Sequence, residues 1–182
     1  GCLGVIPAGR LIAYLWPAVM TMDELIRSIE SSAVNEWILS SPWAWPIMEI
    51  LHFFGLSLLL GSILIFDLRL AGFFRGIDIR AAKKLLPLSV LVFVINFFTG
   101  SLFFIGDPAR YSANIGFLWK MVLVVIAGLN VLLFLWKVAP AMNRWQPHED
   151  TPLAARGIAW LSLGTWVGVL LLGRLIPYVG TG

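Results

Sequence analysis

The chain has 182 residues, 59% of them apolar and 13% charged, with a mean hydropathy of +0.89. A soluble domain carries about 25% charged and about 45–50% apolar residues. These figures exclude a soluble globular domain, a disordered chain and a disulfide scaffold, and they leave an all-α integral membrane protein of four or five spans at most. The net charge of +3 and the pI near 9.4 do not require nucleic acid; basic cytoplasmic loops account for them. Cys2 is the single cysteine, so it has no intrachain partner.

Residues 1–19 read as an N-terminal extension outside the native domain, which then runs over 20–182. The apolar run 11–20 is too short to span a bilayer and Pro17 interrupts it. Met20 and Met22 each offer a start. The Gly1-Cys2 pair is a weak signal for a lipid anchor, and none is expected. Residues 22–40 then read as one amphipathic helix. Thr21 and Glu24 have capping-box spacing. Met22, Leu25, Ile26, Ile29, Ala33 and Trp37 recur at helical intervals, with Asp23, Arg27, Glu30 and Glu36 mostly off that stripe. Such a helix lies in the membrane interface or across the end of a bundle, and Ser41-Pro42 ends it.

Four charge-poor stretches follow, each long enough for the roughly 20 apolar residues of a membrane helix. They cover 44–66, 85–106, 114–137 and 156–177 and predict a four-helix membrane bundle. Their continuous apolarity argues against barrel strands. Pro87 falls in the first turn of the second span, where proline is tolerated. Gly55, Ser57, Gly61, Ser62, Thr99, Gly100 and Ser101 are read as residues that let helices approach, and Gly128, Gly164, Gly168 and Gly173 likewise. Asn96 and Asn130 are expected to bond between helices. The segments 67–84 and 137–156 carry most of the loop Lys and Arg and go to the cytoplasm by the positive-inside rule. Both termini, the amphipathic helix and the 107–113 connection then face the periplasm of a bacterial inner membrane.

Ionisable groups inside spans are costly and raise a functional hypothesis wherever they occur. Here they are Glu49, His52, Lys120 and Arg174. At roughly 1.5 Å per residue all four fall in the outer half of the bundle, with Asp107 and Arg110 just above. Glu49 and His52 share a helix face at i, i+3. Glu-x-x-His is half of a di-iron motif, but no second copy or further glutamate pair completes it. His148-Glu149-Asp150 reads as a solvated loop. One reading of the cluster is structural, with Glu49 paired to Lys120 or Arg174. Another is a ligand site for haem b or quinone. For haem, His52 is the metal ligand, Met121 a second axial candidate, Lys120 and Arg174 propionate partners, and Glu49 the group that orients the imidazole. A quinone needs only a hydrogen bond from His52 and a nearby carboxylate.

The sequence Trp43, Pro46, Glu49, His52 forms a Trp-x-x-Pro-x-x-Glu-x-x-His start, continued by Gly61-Ser62, Asp67-Leu68-Arg69-Leu70, Thr99-Gly100, Phe117, Lys120 and Ala127-Gly128-Leu129-Asn130. In these motifs, over about residues 22–178, the chain resembles an uncharacterised family of small bacterial four-helix membrane proteins. The resemblance implies the four-span fold and no set activity. Members often carry a histidine shortly after the third-span asparagine, where this chain has Leu135 and Trp136.

No nucleophile–base pair or complete metal set points to an enzyme. The sequence thus favours a non-catalytic subunit of a larger redox or respiratory membrane assembly, in contact with lipid and with other subunits or copies of itself. A small transporter or permease component using the same cluster as a proton or anion relay, and a purely structural or assembly subunit, are the alternatives.

Overall fold

The computed structural model describes residues 21–142, 145 and 150–178. The expectations for residues 1–19, His148 and Glu149 lie outside these described residues. Among the described residues the secondary structure is helical throughout: α1 Met22–Glu30, α2 Ala33–Ser40, α3 Ala44–Leu70, α4 Ile79–Lys83, α5 Leu86–Gly106, α6 Pro108–Ala113, α7 Ile115–Lys137, α8 Ala139–Met142 and α9 Leu153–Leu175. The four long ones, α3, α5, α7 and α9, are long and apolar enough to cross a membrane. Their lipid-compatible faces show directly. Phe53, Phe54, Phe97, Phe98, Trp119, Val125 and Leu171 are exposed, the reverse of a soluble core.

The anticipated capping box is present. Thr21 N–H donates to Glu24 Oε2 at 2.8 Å, and Glu24 N–H donates to Thr21 Oγ1 at 3.3 Å. The single helix expected over 22–40 is, however, two. Ser32 is extended and its hydroxyl accepts from Asn35 N–H at 3.2 Å, starting a new helix. This break resets the helical phase. Leu25 and Trp37 of the expected stripe are exposed, while Asn35 and Ile38 are the buried residues of α2. Asn35 Nδ2 donates to Ile105 O at 2.7 Å, satisfying an end carbonyl of α5. The pair α1–α2 therefore lies across one end of the bundle with α6, here termed the cap end.

At the opposite, loop end, α3 runs one turn past the expected boundary. Asp67 and Arg69, placed in a loop by the sequence, are helical and only 5% and 2% exposed. The helix closes with Phe73 N–H on Leu68 O at 2.9 Å across Gly72 at φ +102°, a Schellman turn that needs glycine. Arg69 Nε donates to Ile77 O at 2.6 Å and folds the loop back. The fourth span starts and ends about a turn or less earlier than expected, at Leu153 and Leu175.

Helix α3 packs against α5 and α9, and α9 packs against α7. Helices α5 and α7 do not pack closely on each other, so the bundle is open along one edge. Gly55 and Gly168 mark close approaches: an added Cβ would lie 2.6 Å from Asn96 Nδ2 and from Leu123 Cδ1 respectively. Gly61, Gly128 and Gly164 would meet nothing within 4 Å, which corrects their reading as packing residues. Asn130 Nδ2 bonds between helices, to Ile158 O at 3.0 Å. Asn96 does not; its Nδ2 donates back to Val92 O of its own helix at 3.0 Å. Ser62 and Ser89 join α3 to α5 at 2.8 Å. Apolar clusters fill the middle (Leu59, Val92, Ala127, Trp166, Val169) and the loop end (including Phe66, Leu70, Phe134, Ile158 and Ala159).

Candidate functional site

The unpacked edge between α5 and α7 opens into a cavity of about 430 Å³, within the size range of small-molecule sites. All four long helices contribute to its wall. Phe93 and Trp166 meet edge-to-face at 6.1 Å at its inner limit. Phe104 of α5 stacks on Phe117 of α7 at 5.9 Å toward the cap end. Between them the lining is apolar except for His52, Asn96, Ser101 and Lys120.

His52 is brought into the wall by α3 and held by α5. Its Nδ1 lies 2.8 Å from Thr99 Oγ1. The Thr99 hydroxyl donates along its own helix to Ile95 O at 2.9 Å. A hydroxyl has one proton, so when Thr99 donates it to Ile95 O it accepts from His52, and in that arrangement Nδ1 is the protonated nitrogen. The other nitrogen, Nε2, is then a bare acceptor and has no hydrogen-bond partner among the described residues. Phe103 packs edge-to-face on the ring at 5.5 Å, and Gly100 lies beside the imidazole edge, where an added Cβ would make an ordinary contact with Cε1 at 3.7 Å.

Lys120 reaches the same cavity from α7. Its stem crosses Gly173 of α9, where a Cβ would lie 3.5 Å from Nζ. The ammonium has no hydrogen-bond or ion-pair partner among the described residues. Met121 also lines the cavity. The structure thus brings His52, Lys120 and Met121 together.

Glu49 and Arg174 do not line the cavity; both are exposed. Glu49 Oε1 accepts from Trp45 Nε1 at 3.2 Å, one turn back on α3. The salt bridges among the described residues, Arg75–Asp150 at 3.1 Å and Arg156–Asp150 at 3.6 Å, lie at the loop end. Glu49 therefore pairs with neither Lys120 nor Arg174, and the group that orients the imidazole is Thr99. Thr99 was legible in the sequence only as a small packing residue, because 47 positions separate it from His52.

Above the cavity, Asp107 Oδ1 caps α6 by accepting from Arg110 N–H at 3.3 Å. Asn114 caps α7 and donates to Ile176 O at 2.9 Å, tying the start of α7 to the end of α9. On α6, burial pushes the Tyr111 phenol above its ordinary value; Arg110 opposes this, and the Asp107 and Glu49 carboxylates add to it.

Together these features define a multi-pass helical membrane protein with an apolar cavity that is open along a helix–helix seam. Comparison with known protein families, curated proteins and solved structures finds no match.

Proposed function

We propose that this chain is a non-catalytic integral subunit of a redox assembly in a bacterial inner membrane, and that its cavity takes the head of a lipid-soluble quinone. One observation carries the reading. Two polar groups from different helices, on His52 and Lys120, belong to the wall of an otherwise largely apolar cavity, and His52 Nε2 and Lys120 Nζ have no protein partners among the described residues. Leaving such groups unpaired at membrane depth is costly, and a ligand that bonds both removes the cost. The bare Nε2 accepts from a hydroxyl, which only the reduced form of a quinone presents. The Lys120 ammonium donates to an oxygen at the opposite side of the ring. The gap between α5 and α7 supplies a route from the bilayer.

The positive-inside rule supports an orientation with the cap end, and so the cavity, toward the periplasm. A haem b is the second reading, favoured by His52 and Met121 sharing the wall. The test is organic extraction of the purified protein followed by chromatography, with an absorption spectrum taken beforehand. Co-purifying quinone that falls in His52→Ala and Lys120→Met is the expected result. A Soret band lost in His52→Ala would replace quinone with haem. Folded, colourless protein without quinone would refute both.

A further inference from the structure

A second polar group assembles at the loop end, separated from the cavity by the apolar layer of Leu59, Val92, Ala127, Trp166 and Val169. Asp67 on α3 and Asn130 on α7 are each 5% exposed. Both meet one turn of α9. Ser162 lies beside the Asp67 carboxylate, within its electrostatic reach, and Asn130 Nδ2 donates to Ile158 O at 3.0 Å. In an α-helix the carbonyl of Ile158 meets the amide of Ser162, so the two contacts are neighbours. Phe66 and Phe134, flanking this turn from α3 and α7, meet edge-to-face at 5.4 Å and draw those helices together.

Two oxygens are left over. Asp67 Oδ2 and Asn130 Oδ1 are buried and have no hydrogen-bond partner among the described residues. Buried acceptors are almost always satisfied, and a buried carboxylate without a counter-charge is the costliest case. Neither nearby arginine forms a salt bridge with Asp67, although Arg156 Nε is itself buried without a hydrogen-bond partner among the described residues. Arg69 donates to Ile77 O at 2.6 Å, and Arg156, on the first turns of α9, pairs with Asp150 at 3.6 Å. No salt bridge reaches Asp67 among the described residues.

We infer that a sodium ion binds between Asp67 and Asn130, with the Ser162 oxygen as a further ligand. The donors are all hard oxygens, which select hard cations over transition metals. The single carboxylate balances one positive charge in an interior that tolerates no excess. No group of three His, Cys, Asp or Glu that would favour a heavier metal occurs among the described residues. The ion would join α3, α7 and α9, the three helices that form the closed side of the bundle. This inference does not depend on what fills the cavity.

The test uses the full chain in detergent, with thermal unfolding followed in NaCl, KCl and choline chloride at equal ionic strength. The melting temperature should rise saturably with sodium and not with choline. Asp67→Asn should abolish that dependence, and Asn130→Ala should shift its midpoint upward by about tenfold or more. If Asp67→Asn does not fold, Asn130→Ala carries the test alone. Equal curves in sodium and choline would overturn the inference, as would an unchanged sodium response in both variants. Stabilisation by acid with no sodium response would assign a proton to the site instead, and would also overturn it.

Discussion

Replacing Thr99 by valine keeps the side-chain shape and removes the oxygen that His52 Nδ1 meets at 2.8 Å. Thr99 is 2% exposed, so water cannot readily take over the lost contact. A neutral hydrogen bond contributes about 0.5–1.5 kcal/mol net, and a buried donor left unpaired costs about 1–3 kcal/mol. Polar contacts between membrane helices average nearer 0.6 kcal/mol, which sets the lower bound. The loss of the Thr99–Ile95 contact at 2.9 Å adds little, because back-bonding of this kind does not stabilise a helix. The expected destabilisation is thus about 0.6–2 kcal/mol, a factor of roughly 3–30 in the folded-to-unfolded ratio. The assay is reversible unfolding in mixed detergent–SDS micelles of wild type, Thr99→Val, His52→Ala and the double variant. The cycle should show a coupling of about 1 kcal/mol between the two sites. Additivity within about 0.3 kcal/mol would refute the pairing, and with it the assignment of Nε2 as the free acceptor.

Asn35→Ala should release α2 from the end of α5, since its amide donates to Ile105 O at 2.7 Å from a buried site. Hydrogen exchange over residues 22–40 should speed up roughly 5–30-fold, matching about 1–2 kcal/mol, and unchanged exchange would remove the anchor role. Gly55→Ala should destabilise by about 1–3 kcal/mol, because its Cβ would lie 2.6 Å from Asn96 Nδ2. Gly61→Ala on the same helix, with nothing within 4 Å, should be neutral or stabilising by up to about 1 kcal/mol; equal effects in the two variants would contradict the helix interface. The Tyr111 phenol is held above its ordinary pKa, so its folded neutral form is favoured. That contribution is complete below the unfolded value of about 10 and is lost as pH rises through the higher folded value. Absorbance titration at alkaline pH should show a late-ionising phenol that Tyr111→Phe removes.

The spans were legible in the sequence because runs free of charge have few alternatives in water or lipid. The capping box was legible because both its partners sit within one turn. The break at Ser31-Ser32 was missed because the apolar residues kept their helical spacing across it, and only the Ser32 cap reveals the reset. Asp67 and Arg69 were assigned to a loop by their charge, and nothing local reports that Ser162 and Ile77 O wait for them. The same limit governs the candidate site. Depth along the helices correctly brought His52, Lys120 and Met121 to one level, but depth does not give azimuth. Glu49, within one turn of His52, turns to Trp45, while Thr99 comes from another helix to hold the imidazole.

The open seam between α5 and α7 would change the units in which the affinity of the proposed ligand is expressed. A compound that reached the cavity sideways from the bilayer would exchange with the lipid phase, where most of it resides, rather than directly with water. Its occupancy follows its mole fraction among the surrounding lipids, and strongly partitioning compounds saturate the site at negligible aqueous concentration. Detergent acts as a diluent in that two-dimensional solvent. Each added micelle would lower the local mole fraction of such a ligand and so its occupancy, although no contact in the protein has changed.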